Sequence, residues 1–191
     1  MTLFESCESV FAGNHFRIRQ KLFTLPWREY CVEHRSGIRL GFARRKRRRL
    51  FDLIDIRIYS DETVSTELLS IKQRSFFEWA TNYDVVDSTT GQPVGLIRRS
   101  SLASFAYREW FVIDALGQEL GTIRRKYSLG LFTPQYFFLE FGNNEIGTAV
   151  LSPGFFKPTM SLDLSAVPAE KLDRRLAIAF GLIALATDTW S

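Results

Sequence analysis

A chain of 191 residues is enough for one domain with a real core, and its 17 phenylalanines suit a β-rich protein. The net charge of +4 does not by itself call for nucleic acid, and two cysteines, Cys7 and Cys31, exclude a disulfide framework. The longest apolar stretch, Leu176 to Ala186 counting Gly181, falls short of the about 20 residues a membrane span needs.

Met1 to Asn14 has neither the cationic start nor the apolar run of a leader, and the first dozen or so residues read as a weakly anchored arm. No low-complexity linker divides the chain, so 1–191 reads as a single domain in a reducing, cytoplasmic setting. From Phe16 the pattern has the period of strands. Phe16 and Ile18 alternate with Arg17 and Arg19, and Ile54, Ile56 and Ile58 alternate with Asp55 and Arg57.

A phrase then recurs. Gly41-Phe-Ala-Arg-Arg45 returns as Gly95-Leu-Ile-Arg-Arg99 and as Gly121-Thr-Ile-Arg-Arg125. The lead-ins are Tyr30-Cys-Val-Glu33, Tyr83-Asp-Val-Val-Asp87 and Phe111-Val-Ile-Asp114, and a second glycine stands four residues ahead of each repeated one, at Gly37, Gly91 and Gly117. Phe137 to Val150 is a fainter fourth copy that keeps Gly147 and loses the arginines. The unit reads as strand, turn, strand, with Glu33, Asp87 and Asp114 beginning the turns. Asp114-Ala-Leu-Gly117 suits a type I hairpin turn, since aspartate accepts from the turn backbone and glycine tolerates positive φ. Ser100 to Ala106 and Ser128 to Gln135 read as connections between hairpins. Roughly a dozen short strands result, and sequential hairpins that close on themselves remove exposed edges.

One helix comes last. Pro168 suits a first helical position and Glu170 complements the positive end of the dipole. From Leu176 the helix is apolar on every side, so it must be surrounded. A barrel of about a dozen strands is too wide for its own side chains to fill. Both conditions are met if the helix runs through the barrel.

Phe16-Arg-Ile-Arg-Gln-Lys-Leu-Phe23, the Tyr-x-Val hairpins and the terminal Asp173-Arg-Arg-Leu-Ala-Ile-Ala-Phe180 resemble the LURP-one-related and phospholipid-scramblase group of the tubby C-terminal-like superfamily. The resemblance covers nearly all of Phe16 to Asp188. It implies a closed, mainly β barrel of twelve strands around a central C-terminal helix, and association with membrane lipid. The chain lacks the cysteine-rich palmitoylation segment and the proline-rich N-terminal region of scramblases, so lipid translocation is not carried over. No tubby lipid-site motif can be placed on it.

Enzyme readings do poorly, and no cofactor is called for. His15 and His34, the only histidines, stand at no metal-ligand spacing from Cys7 or Cys31. Neither a nucleophile elbow nor a phosphate loop is present. Asp52 and Asp55, or Asp61 and Glu62, lack the loop spacing of a calcium site. The run Arg44, Arg45, Lys46, Arg47, Arg48, Arg49 is the strongest functional candidate, because guanidinium forks suit phosphate oxygens. Strand alternation refines it. With Ala43, Ile97 and Ile123 facing inward, Arg44, Arg98 and Arg124 face out while Arg45, Arg99 and Arg125 share the inward face. Those three must reach a barrel rim or find partners at strand and helix ends, and an anion site at one mouth is the functional alternative. The expectation is a non-enzymatic domain that binds an anionic ligand, a phospholipid headgroup or membrane surface, from the cytoplasmic side. Nucleic acid bound through the same cations, or a protein-interaction scaffold, is the alternative.

Overall fold

The computed structural model describes residues 10–21, 27–46, 53–74, 80–100, 109–126, 133–142, 144–152 and 157–188. Six strands lie in the first half of the chain: β1 (His15–Gln20), β2 (Trp27–His34), β3 (Arg39–Lys46), β4 (Asp55–Tyr59), β5 (Glu67–Gln73) and β6 (Ala80–Asp87). The second half holds β7 (Pro93–Ser100), β8 (Glu109–Asp114), β9 (Glu119–Lys126), β10 (Gln135–Phe141), β11 (Asn144–Ser152), β12 (Thr159–Asp163) and the helix α1 (Arg174–Asp188). Each strand pairs antiparallel with its neighbours in sequence, and β12 pairs with β1 to close the barrel. The closed barrel of twelve strands is therefore a simple meander, built almost entirely from local hairpins. Odd-numbered strands all finish at one end, here called the upper mouth.

The repeated glycines mark a structural device that recurs. Gly41, Gly95, Gly121 and Gly147 stand opposite Val32, Val85, Val112 and Leu139, and in each pair the register slips just beyond that contact. These are β-bulges, which bend a strand and help curl a sheet into a barrel. A Cβ on Gly121 would stand 2.5 Å from the Glu140 carbonyl oxygen, so the next strand's backbone occupies the space a side chain would need. The turn glycines answer to a different demand. Gly117 has open space around it but a φ of 84°, and Gly37 and Gly91 share that left-handed conformation. The Asp114 carboxylate accepts from the backbone of Leu116 at 2.9 Å and of Gln118 at 2.8 Å, as the turn reading expects.

The register corrects two alignments. Trp110, not Phe111, matches Tyr30 and Tyr83, since each stands two residues before the valine opposite the repeated glycine. His34, not Glu33, opens the first turn: its ring nitrogen accepts from the Ser36 backbone while its carbonyl takes Gly37 N–H at 2.9 Å. Glu33 instead faces outward and binds Arg19 at 2.6 Å.

The helix runs through the barrel. Leu176, Ile178, Phe180, Leu182, Ile183 and Leu185 are all buried, although they point in every direction around the axis. Phe180 meets Trp110 of β8 and Phe137 of β10 edge-on, with ring centroids 5.7 and 5.4 Å away. On the other side a Cβ on Gly181 would lie 2.7 Å from Ile18 Cδ1 of β1. Each large apolar side chain so enclosed contributes about 1.5–3 kcal/mol.

The helix begins later than Pro168 and Glu170 suggest. Residues Pro168 to Leu172 form turns, and Asp173 is the true cap, its carboxylate accepting from Arg175 N–H at 2.9 Å. Arg174 and Arg175 pin this lower end. Arg174 is buried and donates to Asn14 Oδ1 at 2.7 Å and to the Val167 carbonyl at 2.6 Å, while Arg175 reaches Asp87 at 2.7 Å. Val10 and Phe11, in the stretch read as a loose arm, are buried against the barrel. The connections read at Ser100 to Ala106 and Ser128 to Gln135 lie largely outside the described residues. Among the described residues no helix is long and apolar enough to cross a membrane.

Candidate anion site at the upper mouth

Period-two alternation decides where the repeated arginines go. Arg44, Arg98 and Arg124 point out and meet carboxylates there: Glu29 at 2.9 Å, Glu119 at 3.3 Å, and Glu109 at 2.8 Å with Glu140 at 3.0 Å. Arg44 and Arg98 also lie over the rings of Phe42 and Phe111. The outward member of each pair is thus an element of the barrel's exterior.

Arg45, Arg99 and Arg125 share the inward face, as alternation requires. Arg45 stands opposite Arg28, Arg99 opposite Trp110, and Arg125 opposite Phe137. All belong to the last inward layer before the upper mouth, because β3, β7 and β9 end there. Arg28 of β2 joins them by register, so four strands deliver guanidiniums to one layer. Two residues before the inward Tyr30, Arg28 was legible by the same alternation, but it lies outside the repeated phrase and so escapes a search for it. No inward strand position of that layer carries a carboxylate among the described residues.

The helix ends in this layer. Arg45 Nη1 donates to the Ala186 carbonyl at 3.1 Å, so the barrel wall supplies the cation that the last turn of the helix lacks. Arg99 lies 5.2 Å above the Trp110 ring. One layer down, Tyr30 is fully buried, and no hydrogen bond of good geometry reaches its hydroxyl, although Arg28 stands near enough to offer one. Burial raises the Tyr30 pKa, and the nearby Arg28 and Arg45 charges only partly offset that. Trp110 Nε1 and the side-chain oxygens of Gln20 and Gln135 are likewise buried without a partner. Such groups cost free energy until something binds them.

The basic run divides. Arg44 is outside and Arg45 inside, and Lys46 closes β3. The Lys46 side chain and Arg47, Arg48 and Arg49 lie outside the described residues. Of the four carboxylates that lack calcium-loop spacing, Asp52 lies outside the described residues and Asp55 pairs with Arg57 at 2.6 Å. Asp61 accepts from Thr63 N–H at 2.7 Å within its own turn, and Glu62 pairs with Lys21 at 2.8 Å and with Arg39. Comparison with models of protein families, with curated proteins and with solved structures yields no match.

Proposed function

We propose that this chain is a non-enzymatic domain that binds an anionic ligand at the upper mouth, the phosphate of a phospholipid headgroup at a membrane surface. The observation that carries the reading is that Arg28, Arg45, Arg99 and Arg125 all take inward positions at the upper ends of their strands. Arg28 and Arg45 stand opposite one another across the sheet, so two guanidiniums share one cross-strand position. The buried Tyr30 hydroxyl, within reach of Arg28, adds a neutral polar group beneath them. β3 ends at the same rim and the basic run follows it in sequence; each cation near an anionic bilayer contributes about 1 kcal/mol. A twelve-strand barrel around a C-terminal helix is also the architecture implied by the resemblance to the tubby-like superfamily, whose recurring theme is lipid, and membership in it is part of the proposal.

The nucleic-acid alternative loses support from the exterior. Bases need open aromatic platforms. Here Phe42 is buried and lies under Lys21 and Arg44, and Phe111 lies under Arg98, which leaves Tyr136 as the one exposed aromatic among the described residues. Among the described residues the exposed large apolar side chains are Ile38, Leu53, Leu116 and Tyr136, and Ile38 and Leu116 sit on turns at opposite sides of the lower mouth, so the scaffold alternative gains little from them.

The test is flotation with phosphatidylcholine vesicles, with and without phosphatidylserine, across a salt series. Binding that needs the anionic lipid, fades with salt, and is lost when Arg28, Arg99 and Arg125 are changed to glutamine supports the reading. Equal binding by that folded variant removes it.

A further inference from the structure

A second group of cations stands apart from the mouth, on the outer wall where the barrel closes. Among the outward-facing arginines, Arg19, Arg39, Arg44, Arg57, Arg98 and Arg124 each meet a carboxylate. Arg17 of β1, which stands opposite Glu33, and Arg35 on the turn after β2 make no ion pair among the described residues, although the Arg35 charge is felt by Asp163. Both are exposed, and both line one surface cavity of about 330 Å³.

Register explains the cavity. Arg17, Ser161 and Val150 lie abreast on β1, β12 and β11, and His15, Asp163 and Thr148 form the adjacent row. All point outward. The short side chains in the middle of these rows leave the wall low, while Arg17 and Arg35 stand tall at its edge. The lining is mixed, more apolar than polar, and its polar part is organised. Asp163 is anchored by Ser165 N–H at 3.0 Å and lies 3.4 Å from His15 Nδ1. The Ser165 bonds, with His15 and Arg35, hold its carboxyl below the ordinary aspartate range, so it is a fixed acceptor at neutral pH.

We infer that this groove is a binding site for a polyol phosphomonoester. Arg17 and Arg35 supply planar donor forks for the phosphate. Asp163, Ser161 and Thr148 supply acceptors and donors for the hydroxyls. A volume of this size suits a small ligand rather than a macromolecule. The site is distinct from the proposed mouth site: no residue is shared, and the barrel wall separates them.

Titration of the full chain with glycerol 3-phosphate, followed by amide NMR shifts, is the deciding experiment. Saturable shifts confined to His15, Arg17, Arg35, Ser161 and their neighbours are expected, with none from glycerol. Arg17→Gln with Arg35→Gln weakens binding about tenfold or more while the melting curve holds. Ser161→Val, which fills the floor, gives the same loss by a route that leaves charge unchanged. The Arg28, Arg99 and Arg125 variant leaves the titration unaltered, so failure here and failure at the mouth are separable. Flotation with phosphatidylcholine vesicles containing phosphatidic acid, run in the Arg28, Arg99 and Arg125 variant so that the mouth does not contribute, then identifies the source. Loss of flotation in the Arg17 and Arg35 variant assigns the headgroup, and flotation insensitive to it assigns a free metabolite. Absence of saturable shifts, or full binding by both groove variants, overturns the inference.

Discussion

The guanidinium of Arg45 holds the carbonyl oxygen of Ala186 at 3.1 Å, across 141 positions of sequence. One residue of a strand repeat thereby binds a carbonyl in the last turn of the central helix. It also anchors one member of the arginine layer, so helix position and mouth geometry are coupled.

Arg45→Ala therefore lowers stability by about 1–2 kcal/mol, through loss of a charged hydrogen bond and of the helix-end cation. Arg45→Lys recovers part of the loss, since the charge remains and the fork does not. Thermal or urea denaturation measures both. A neutral outcome for Arg45→Ala means the contact does not hold the helix end.

Gly181 and Ile18 make a paired test of the central helix. Gly181→Ala places a methyl 2.7 Å from Ile18 Cδ1 and is expected to cost about 1–3 kcal/mol. Ile18→Val removes that Cδ1 at a cost of about 0.5–1.5 kcal/mol. The double variant should be more stable than the sum of the two losses allows. Strict additivity in urea melts would show that helix and strand do not touch there.

Phe180 reports on enclosure itself. Phe180→Ala costs about 3–5 kcal/mol because the cavity opens between Trp110 and Phe137. Phe180→Asp prevents folding, since the carboxylate has no partner in that core. A soluble Phe180→Asp chain with an unchanged melting curve contradicts the buried helix.

The two glycine classes separate by substitution. Gly117→Ala costs about 1 kcal/mol, because only the left-handed backbone is strained and the space is open. Gly121→Ala costs more, since the Glu140 backbone must move. Equal losses in denaturation would mean that the β9–β10 approach is looser than 2.5 Å implies.

Acid sensitivity follows from Asp87. Burial opposes its charge, but bonds from Thr89 and Thr90 and the Arg175 guanidinium outweigh burial and lower its pKa. A carboxyl depressed on folding stabilises above its unfolded pKa of about 3.9, and that contribution is lost as pH falls through the folded value. Stability should thus decline from about pH 4 downward. Asp87→Asn lowers stability at neutral pH and flattens that part of the profile. Urea midpoints across a pH series decide, and an unchanged acid limb assigns the decline to other carboxylates.

Sequence alone determined the hairpins, their turns and the central helix, because each rests on local or periodic chemistry. Asp114 and Gly117 make a turn by themselves, alternation sends Arg44 outward and Arg45 inward, and a helix apolar all round from Leu176 must be enclosed. Local pattern could not place the start of that helix, since Pro168 is as good an opening as Asp173 until the barrel decides which residues are threaded. Nor could it show that Gly121 marks a bulge, because the obstacle is the Glu140 backbone of another hairpin. The mouth was half legible: the repeat exposed Arg45, Arg99 and Arg125, while Arg28 and the buried Tyr30 hydroxyl join them only through strand register. The outer groove was not legible at all. Arg17, Arg35, Ser161 and Thr148 come from opposite ends of the chain, and only the closure of β12 on β1 brings them to one wall.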